Sequence, residues 1–173
     1  MNIRVSEIPS DGIRVEGLDA LPRPFADPSW TLQALSFQVD REGDVVYVRG
    51  SLEARVPLVC SRCLEPFDMT VEPAVDTRLV PAVTERSEDV LERELGADDL
   101  ETDIYDHGVL DVARVVETET SLAVPMKPLC REDCRGLCPV CGGNRNLTPC
   151  ACEASTPDPR WAPLRKLVER PSR

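Results

Sequence analysis

Val46-Tyr47-Val48-Arg49-Gly50-Ser51-Leu52-Glu53-Ala54-Arg55-Val56-Pro57-Leu58-Val59-Cys60 is the stretch that decides the fold. Val46, Val48, Leu52, Ala54, Val56, Leu58 and Cys60 all fall on even positions, while Arg49, Ser51, Glu53 and Arg55 fall on odd ones. Side chains alternate across a strand, so this period of two predicts one long strand with a buried even face. Gly50, inside the run, reads as a bulge or bend.

The flanks extend the same pattern. Upstream, Leu35-Ser36-Phe37-Gln38-Val39 alternates apolar and polar, and Asp40 to Asp44 supplies a turn. Downstream, Phe67, Met69, Val71, Val75 and Leu79 share one face, and Asp68, Thr70, Glu72, Asp76 and Arg78 share the other. Cys60-Ser61-Arg62-Cys63-Leu64-Glu65-Pro66 lies between the two alternations, which places the first cysteine pair at the tip of a β-hairpin.

Beyond the sheet, Val109, Val112, Ala113, Val116, Thr120 and Ala123 recur at helical spacing. Asp106 is the expected cap of this helix and Pro125 its stop, and its apolar stripe packs on the sheet. Residues 85 to 106 hold ten acids against Arg86 and Arg93. They read as a solvated loop with a short helix near Asp89 to Leu95, or alternatively as a surface for a basic partner. Residues 1 to 30, with six Pro and Gly positions from Pro9 to Pro28, read as an irregular arm. One strand is expected there at Ile3 to Ile8, with Trp30 pinning the end of the arm. From Asp158-Pro159 a terminal helix is expected, with Trp161, Leu164, Leu167 and Val168 on one face and regular turns from Pro163.

The expected fold is α+β: an antiparallel β-sheet or partly open barrel with one packed helix, a Cys-rich zinc-binding C-terminal segment and a short terminal helix. The expected divisions are an arm over 1–30, a β-rich core with acidic loop and helix over 31–125, and a Cys-rich segment with terminal helix over 126–173.

The chain has 173 residues and a net charge of -11. From Met126 onward nine basic residues face five acidic ones, whereas the remainder holds eleven basic and 26 acidic residues. A polycation coating nucleic acid is thereby excluded for the whole chain, and any RNA contact is local. No stretch reaches the length of a membrane span. The first residues contain no apolar signal core, so a soluble cytoplasmic protein is expected. Thiols stay reduced in that compartment, where clustered cysteines read as metal ligands before disulfides.

The eight cysteines are Cys60, Cys63, Cys130, Cys134, Cys138, Cys141, Cys150 and Cys152. Zinc takes four thiolates in a tetrahedron, and a two-residue gap turns both thiolates of a pair toward one ion. Cys60/Cys63 and Cys138/Cys141 have that gap, and Gly142 and Gly143 suit a knuckle that aims amides at sulfur. Eight sulfurs make two four-sulfur sites, hence two structural zinc ions. Two divisions are open. One joins Cys60 and Cys63 to Cys130 and Cys134, leaving Cys138, Cys141, Cys150 and Cys152 as a local site. The other pairs the two short-gap knuckles as a zinc ribbon does. A single metal with four free cysteines, an Fe–S cluster, disulfides and a redox pair at Cys60/Cys63 are further alternatives. The redox pair is disfavoured because a strand, not a helix, follows Cys63.

No catalytic constellation stands out. His107 is the only histidine, no phosphate-binding glycine motif is present, and no Ser or Cys has a second histidine to serve as base. Four-sulfur sites are closed, whereas catalytic zinc keeps an open position. A non-enzyme without a small-molecule substrate is expected. Arg62, Arg131, Arg135 and Arg145, close in sequence to the cysteines, are the candidate contacts to RNA or a protein partner. Alternatives are an adaptor whose acidic segment shields a basic protein, and a thiol or metal sensor.

Several motifs together resemble one bacterial family. They are Cys60-Ser61-Arg62-Cys63-Leu64-Glu65-Pro66-Phe67, Val124-Pro125-Met126-Lys127-Pro128-Leu129-Cys130, Cys134-Arg135-Gly136-Leu137-Cys138-Pro139-Val140-Cys141-Gly142, and the ending from Asp158-Pro159-Arg160-Trp161 to Leu167. The chain is similar to the YceD family, the large ribosomal RNA subunit accumulation proteins, from about Leu35 to its end. The resemblance implies a role in making or stabilising large-subunit ribosomal RNA, with an RNA precursor or a ribosomal protein as partner. It implies no catalytic residues. Relatives often read Asn-Leu-Asn after the knuckle glycine, where this chain has Gly143-Asn144-Arg145-Asn146-Leu147.

Overall fold

The computed structural model describes residues 1–82, 102–152 and Arg160. Among these residues eight strands run in chain order: β1 Asn2–Arg4, β2 Ile13–Glu16, β3 Thr31–Glu42, β4 Val45–Val59, β5 Pro66–Val71, β6 Ala74–Pro81, β7 Thr102–Tyr105 and β8 Val109–Asp111. Among the described residues there is one α-helix, α1, over Val112–Ala123. The main sheet has the order β2-β3-β4-β6-β7, with β5 also on β4, and it is not closed. All its pairings are antiparallel except β6–β7, which is parallel. Strands β1 and β8 form a separate antiparallel pair.

β4 is the spine of the sheet, and its even face is buried as the alternation requires. Val46, Val48, Ala54, Val56 and Cys60 have no accessible surface, and Leu52 nearly none. On β3 the buried set is Leu35, Phe37 and Val39, opposite Leu52, Gly50 and Val48 respectively. Gly50 has φ 149°, and a Cβ there would lie 2.0 Å from the Ser36 carbonyl oxygen. The glycine is therefore a point of close strand approach, in a region of φ that only glycine enters freely.

The single alternation from Phe67 to Leu79 folds as two strands. β4 pairs with β5 over Ala54–Val59 and with β6 over Val46–Ser51. The break falls at Glu72-Pro73, because proline has no ladder donor. The break spans two residues, so the inward parity survives it, and Val71, Val75 and Leu79 are all buried.

The first thirty residues are more ordered than an irregular arm with one strand. β1 pairs with β8, β2 extends the main sheet, and Ile3, Val5, Ile8, Val15 and Leu21 enter the core. Trp30 packs against that core and meets Phe25 edge to face, with ring centroids 5.6 Å apart.

The helix begins later than its sequence pattern indicates. Val109–Asp111 are taken by pairing with β1, so Asp106 caps nothing. It lies instead in the β7–β8 turn, with His107 (φ 53°) and Gly108 (φ 69°). Asp111 is the cap, its Oδ1 accepting from the Ala113 N–H at 3.0 Å. Val112, Val115, Val116 and Thr120 join the core shared with the sheet. Thr120 satisfies its hydroxyl on the Val116 carbonyl oxygen at 2.7 Å. Thr77 Oγ1 donates to Glu119 Oε1 at 2.7 Å, which ties α1 to β6. Pro125 follows directly on the capping residue Val124. The expected short helix at Asp89 to Leu95 and the terminal helix after Asp158 lie outside the described residues.

Candidate metal centres

Two groups of four cysteines converge, each with its sulfurs within 4.8 Å of one another. The first holds Cys60, Cys63, Cys130 and Cys134, and the second Cys138, Cys141, Cys150 and Cys152. Of the two divisions open from sequence, this is the one with a local second site and a first site that spans the chain.

The first centre is built by clamping the β4–β5 tip to the segment after α1. The Ser61 N–H donates to the Pro128 carbonyl at 2.8 Å, and the Leu137 N–H to the Arg62 carbonyl at 3.1 Å. Gly136 makes the approach possible: its φ is 67°, and a Cβ would lie 2.9 Å from the Arg62 carbonyl oxygen. Cys60, Cys63 and Cys134 are buried with Phe67 and Leu129 packed around them.

The two knuckles repeat one another bond for bond. Leu64 N–H donates to the Cys60 carbonyl and Gly142 N–H to the Cys138 carbonyl, both at 2.9 Å. The amides of Arg62 and Val140 each point at the sulfur two residues back, at 3.5 Å. Both turns need a left-handed residue after the second cysteine. Gly142 supplies φ 71° and Leu64 supplies φ 60°. Leucine there carries strain on the order of 1 kcal/mol that glycine would not.

In the first centre, two opposite S···S edges match those of a single tetrahedral ion. Cys60 and Cys134 sulfurs are 3.8 Å apart, and Cys63 and Cys130 sulfurs 3.7 Å. A tetrahedron with Zn–S bonds of about 2.3 Å has edges of about 3.8 Å. A disulfide would bring a pair to about 2.05 Å, and none of the eight is so bonded. A polynuclear iron–sulfur cluster holds its thiolates farther apart than one ion does.

The charges follow the same logic. The backbone amides of Cys130 and Cys63 bring Cys60 down to about 6, and those of Cys141 and Val140 bring Cys138 down to about 6. Burial, reinforced by the neighbouring sulfurs, pushes Cys130 up to about 12. The Cys141 thiol, with burial, pushes Cys152 up to about 12. Four crowded sulfurs cannot all ionise alone, and a divalent cation is what would allow it.

The candidate arginines separate into two kinds. Arg62 Nη1 donates to the carbonyls of Glu132 and Cys134 at 3.1 and 3.0 Å, so its guanidinium stitches the first centre together. Arg131 pairs with Asp133 and donates to Asn146 Oδ1 at 2.9 Å. Arg135 and Arg145 are exposed, and their side chains have no partner among the described residues. Sequence reading passed over Asn146, whose Nδ2 lies 3.3 Å from Cys134 Sγ. An amide side chain inside a cysteine-rich loop was its only signal. His107, in its tight turn, belongs to neither sulfur cluster.

Residues 48–168 match the family model described as "Large ribosomal RNA subunit accumulation protein YceD". Uncharacterized proteins of Mycobacterium bovis and of two strains of Mycobacterium tuberculosis are 32% identical over 139 residues, which cover 78% of this chain. The chain spans 60% of the length of those curated relatives. No solved structure matches it significantly.

Proposed function

The chain belongs to the YceD family, and from that premise we propose that it is a non-catalytic, zinc-organised accessory factor in large-subunit ribosomal RNA accumulation and ribosome assembly. The observation that carries the zinc part is the convergence of four sulfurs at the β4–β5 tip, all within 4.8 Å and with opposite edges of 3.8 and 3.7 Å. Four thiolates fill the coordination sphere and leave no open position for a substrate or an activated water, which supports a structural ion over a catalytic one. The ion fastens residues that are far apart in sequence and thereby fixes the shape of the surface around them.

That surface carries Arg135 and Arg145 toward solvent, and their planar guanidinium groups suit phosphate oxygens. An RNA precursor of the large subunit is the partner this chemistry favours, with a ribosomal protein as the other outcome, and the site of action is the cytoplasm. No helix among the described residues is long and apolar enough to cross a membrane.

Two measurements test this reading. Metal analysis of protein purified without chelator should find two zinc ions per chain, and a metal-free, folded protein would overturn the zinc part. The protein should co-sediment with large-subunit precursors, and its deletion should lower large-subunit RNA relative to small-subunit RNA. An unchanged ratio together with no co-sedimentation would overturn the assembly role.

A further inference from the structure

Asn146 belongs by position to the second centre and by contact to the first. It lies in the loop closed by Cys141 and Cys150, yet its Nδ2 donates to Cys134 Sγ at 3.3 Å. Every hydrogen-bonding position of the amide is used. Its second Nδ2 hydrogen goes to Asn144 Oδ1 at 2.9 Å. Its Oδ1 accepts from the Arg135 N–H at 2.8 Å and from Arg131 Nη2 at 2.9 Å. Two donors and two acceptor sites are the full capacity of the group, so its orientation is fixed, with the N–H rather than the oxygen toward sulfur.

The rest of the loop is held in the same place. The Arg145 N–H donates to the Gly136 carbonyl at 2.9 Å, Asn144 bridges to Leu137, and Asn144 Nδ2 reaches Glu65 Oε1 at 3.2 Å. The two centres differ in access. Cys60, Cys63 and Cys134 are buried, whereas Cys141, Cys150 and Cys152 are exposed. An ion in the second centre is therefore the one that solvent and competing ligands reach first.

We propose that Asn146 couples the two centres. An ion closing Cys138, Cys141, Cys150 and Cys152 restrains the loop between them and holds the Asn146 amide against the Cys134 sulfur. The N–H···S bond offsets charge on that thiolate and orients it, so the buried centre keeps its ion more tightly while the exposed one is filled. Linkage is reciprocal, so filling the buried centre also favours filling the exposed one. Asn146 is a positioning residue here, and the exposed centre acts as the control point of the buried one. The inference rests on the two-zinc reading given above.

The test is exchange of bound zinc for isotopically labelled zinc supplied in excess, which keeps the exposed centre occupied throughout, followed in the wild type, Asn146→Ala, Asn146→Asp, Cys150→Ala/Cys152→Ala and the combined variant, with far-UV circular dichroism as the check on folding. Wild type should exchange one ion fast and one slowly. Loss of an outer-shell partner typically weakens a metal site by about 10–100-fold, and the slow phase should accelerate by that range in Asn146→Ala. Asn146→Asp keeps the oxygen that Arg131 and Arg135 use but loses the donor, and should show the same acceleration. Cys150→Ala/Cys152→Ala should exchange its remaining ion as fast, and the combined variant little faster than either parent. A remaining ion that exchanges at the slow wild-type rate, or effects that multiply, would overturn the coupling while leaving two structural ions in place. A wild type with fewer than two ions would overturn the two-zinc reading itself, and the coupling with it.

Discussion

Arg62 Nη1 lies 3.0 Å from the carbonyl oxygen of Cys134, joining a hairpin tip to a segment 72 residues further along the chain. The same guanidinium also holds the Glu132 carbonyl. Arg62→Ala should therefore destabilise the protein by about 1.5–3 kcal/mol, the usual range for hydrogen bonds from a charged group. Arg62→Lys should recover only part of this, because an ammonium lacks the planar fork. Denaturant unfolding of the metal-loaded protein measures both.

Gly136 permits that junction. An alanine there would be held at a left-handed φ with its Cβ 2.9 Å from the Arg62 carbonyl oxygen. Gly136→Ala should cost on the order of 2 kcal/mol and weaken metal binding by the first centre in parallel. Equilibrium unfolding and zinc competition should move together, and a change in stability with intact zinc affinity would separate the junction from the site.

Leu64 gives the opposite sign. It occupies a left-handed φ of 60° where the matching knuckle has Gly142, and it is 61% exposed. Leu64→Gly should leave stability unchanged or raise it by about 0.5–1 kcal/mol. Thermal unfolding decides this, and a loss above that scale would mean the leucine makes a contact of its own.

Metal binding should weaken as pH falls. Cys130 and Cys152, pushed up to about 12, are protonated near neutrality without metal. Each centre must then release at least one proton when an ion enters. The apparent affinity should accordingly rise about tenfold or more per pH unit around neutrality. Below about 6, Cys60 and Cys138 also take up protons, and the dependence should steepen. Zinc titrations against a competing chelator across this range give the slope, and a flat profile would contradict the protonation pattern.

Arg135 and Arg145 should act on RNA without acting on the fold. Each lost phosphate contact should lower the slope of log affinity against log salt by about one. Filter binding of Arg135→Ala and Arg145→Ala over a salt series, with melting temperatures unchanged, is the expected result. Arg62→Ala should change stability first, which distinguishes a stitching arginine from a contacting one.

The sheet was legible in the sequence because alternation is a local property. Each even residue of Val46 to Cys60 reports its own face, whichever strand pairs with it, and the helix after residue 110 declares itself by its period in the same way. Strand partners were not legible. Residues 109–111 read as a helix start until β1 claims them, and Phe67 to Leu79 reads as one strand because a two-residue break preserves parity. The number of cysteines and the two short gaps pointed by themselves to tetrahedral metal sites. How eight sulfurs divide was decided only by the tertiary structure, since sequence spacing carries no information about which distant segment docks at a hairpin tip. That docking depends on Gly136 allowing a close approach to Arg62, on the Arg62 guanidinium reaching two carbonyls, and on the Asn146 amide meeting Cys134 Sγ from the loop between Cys141 and Cys150.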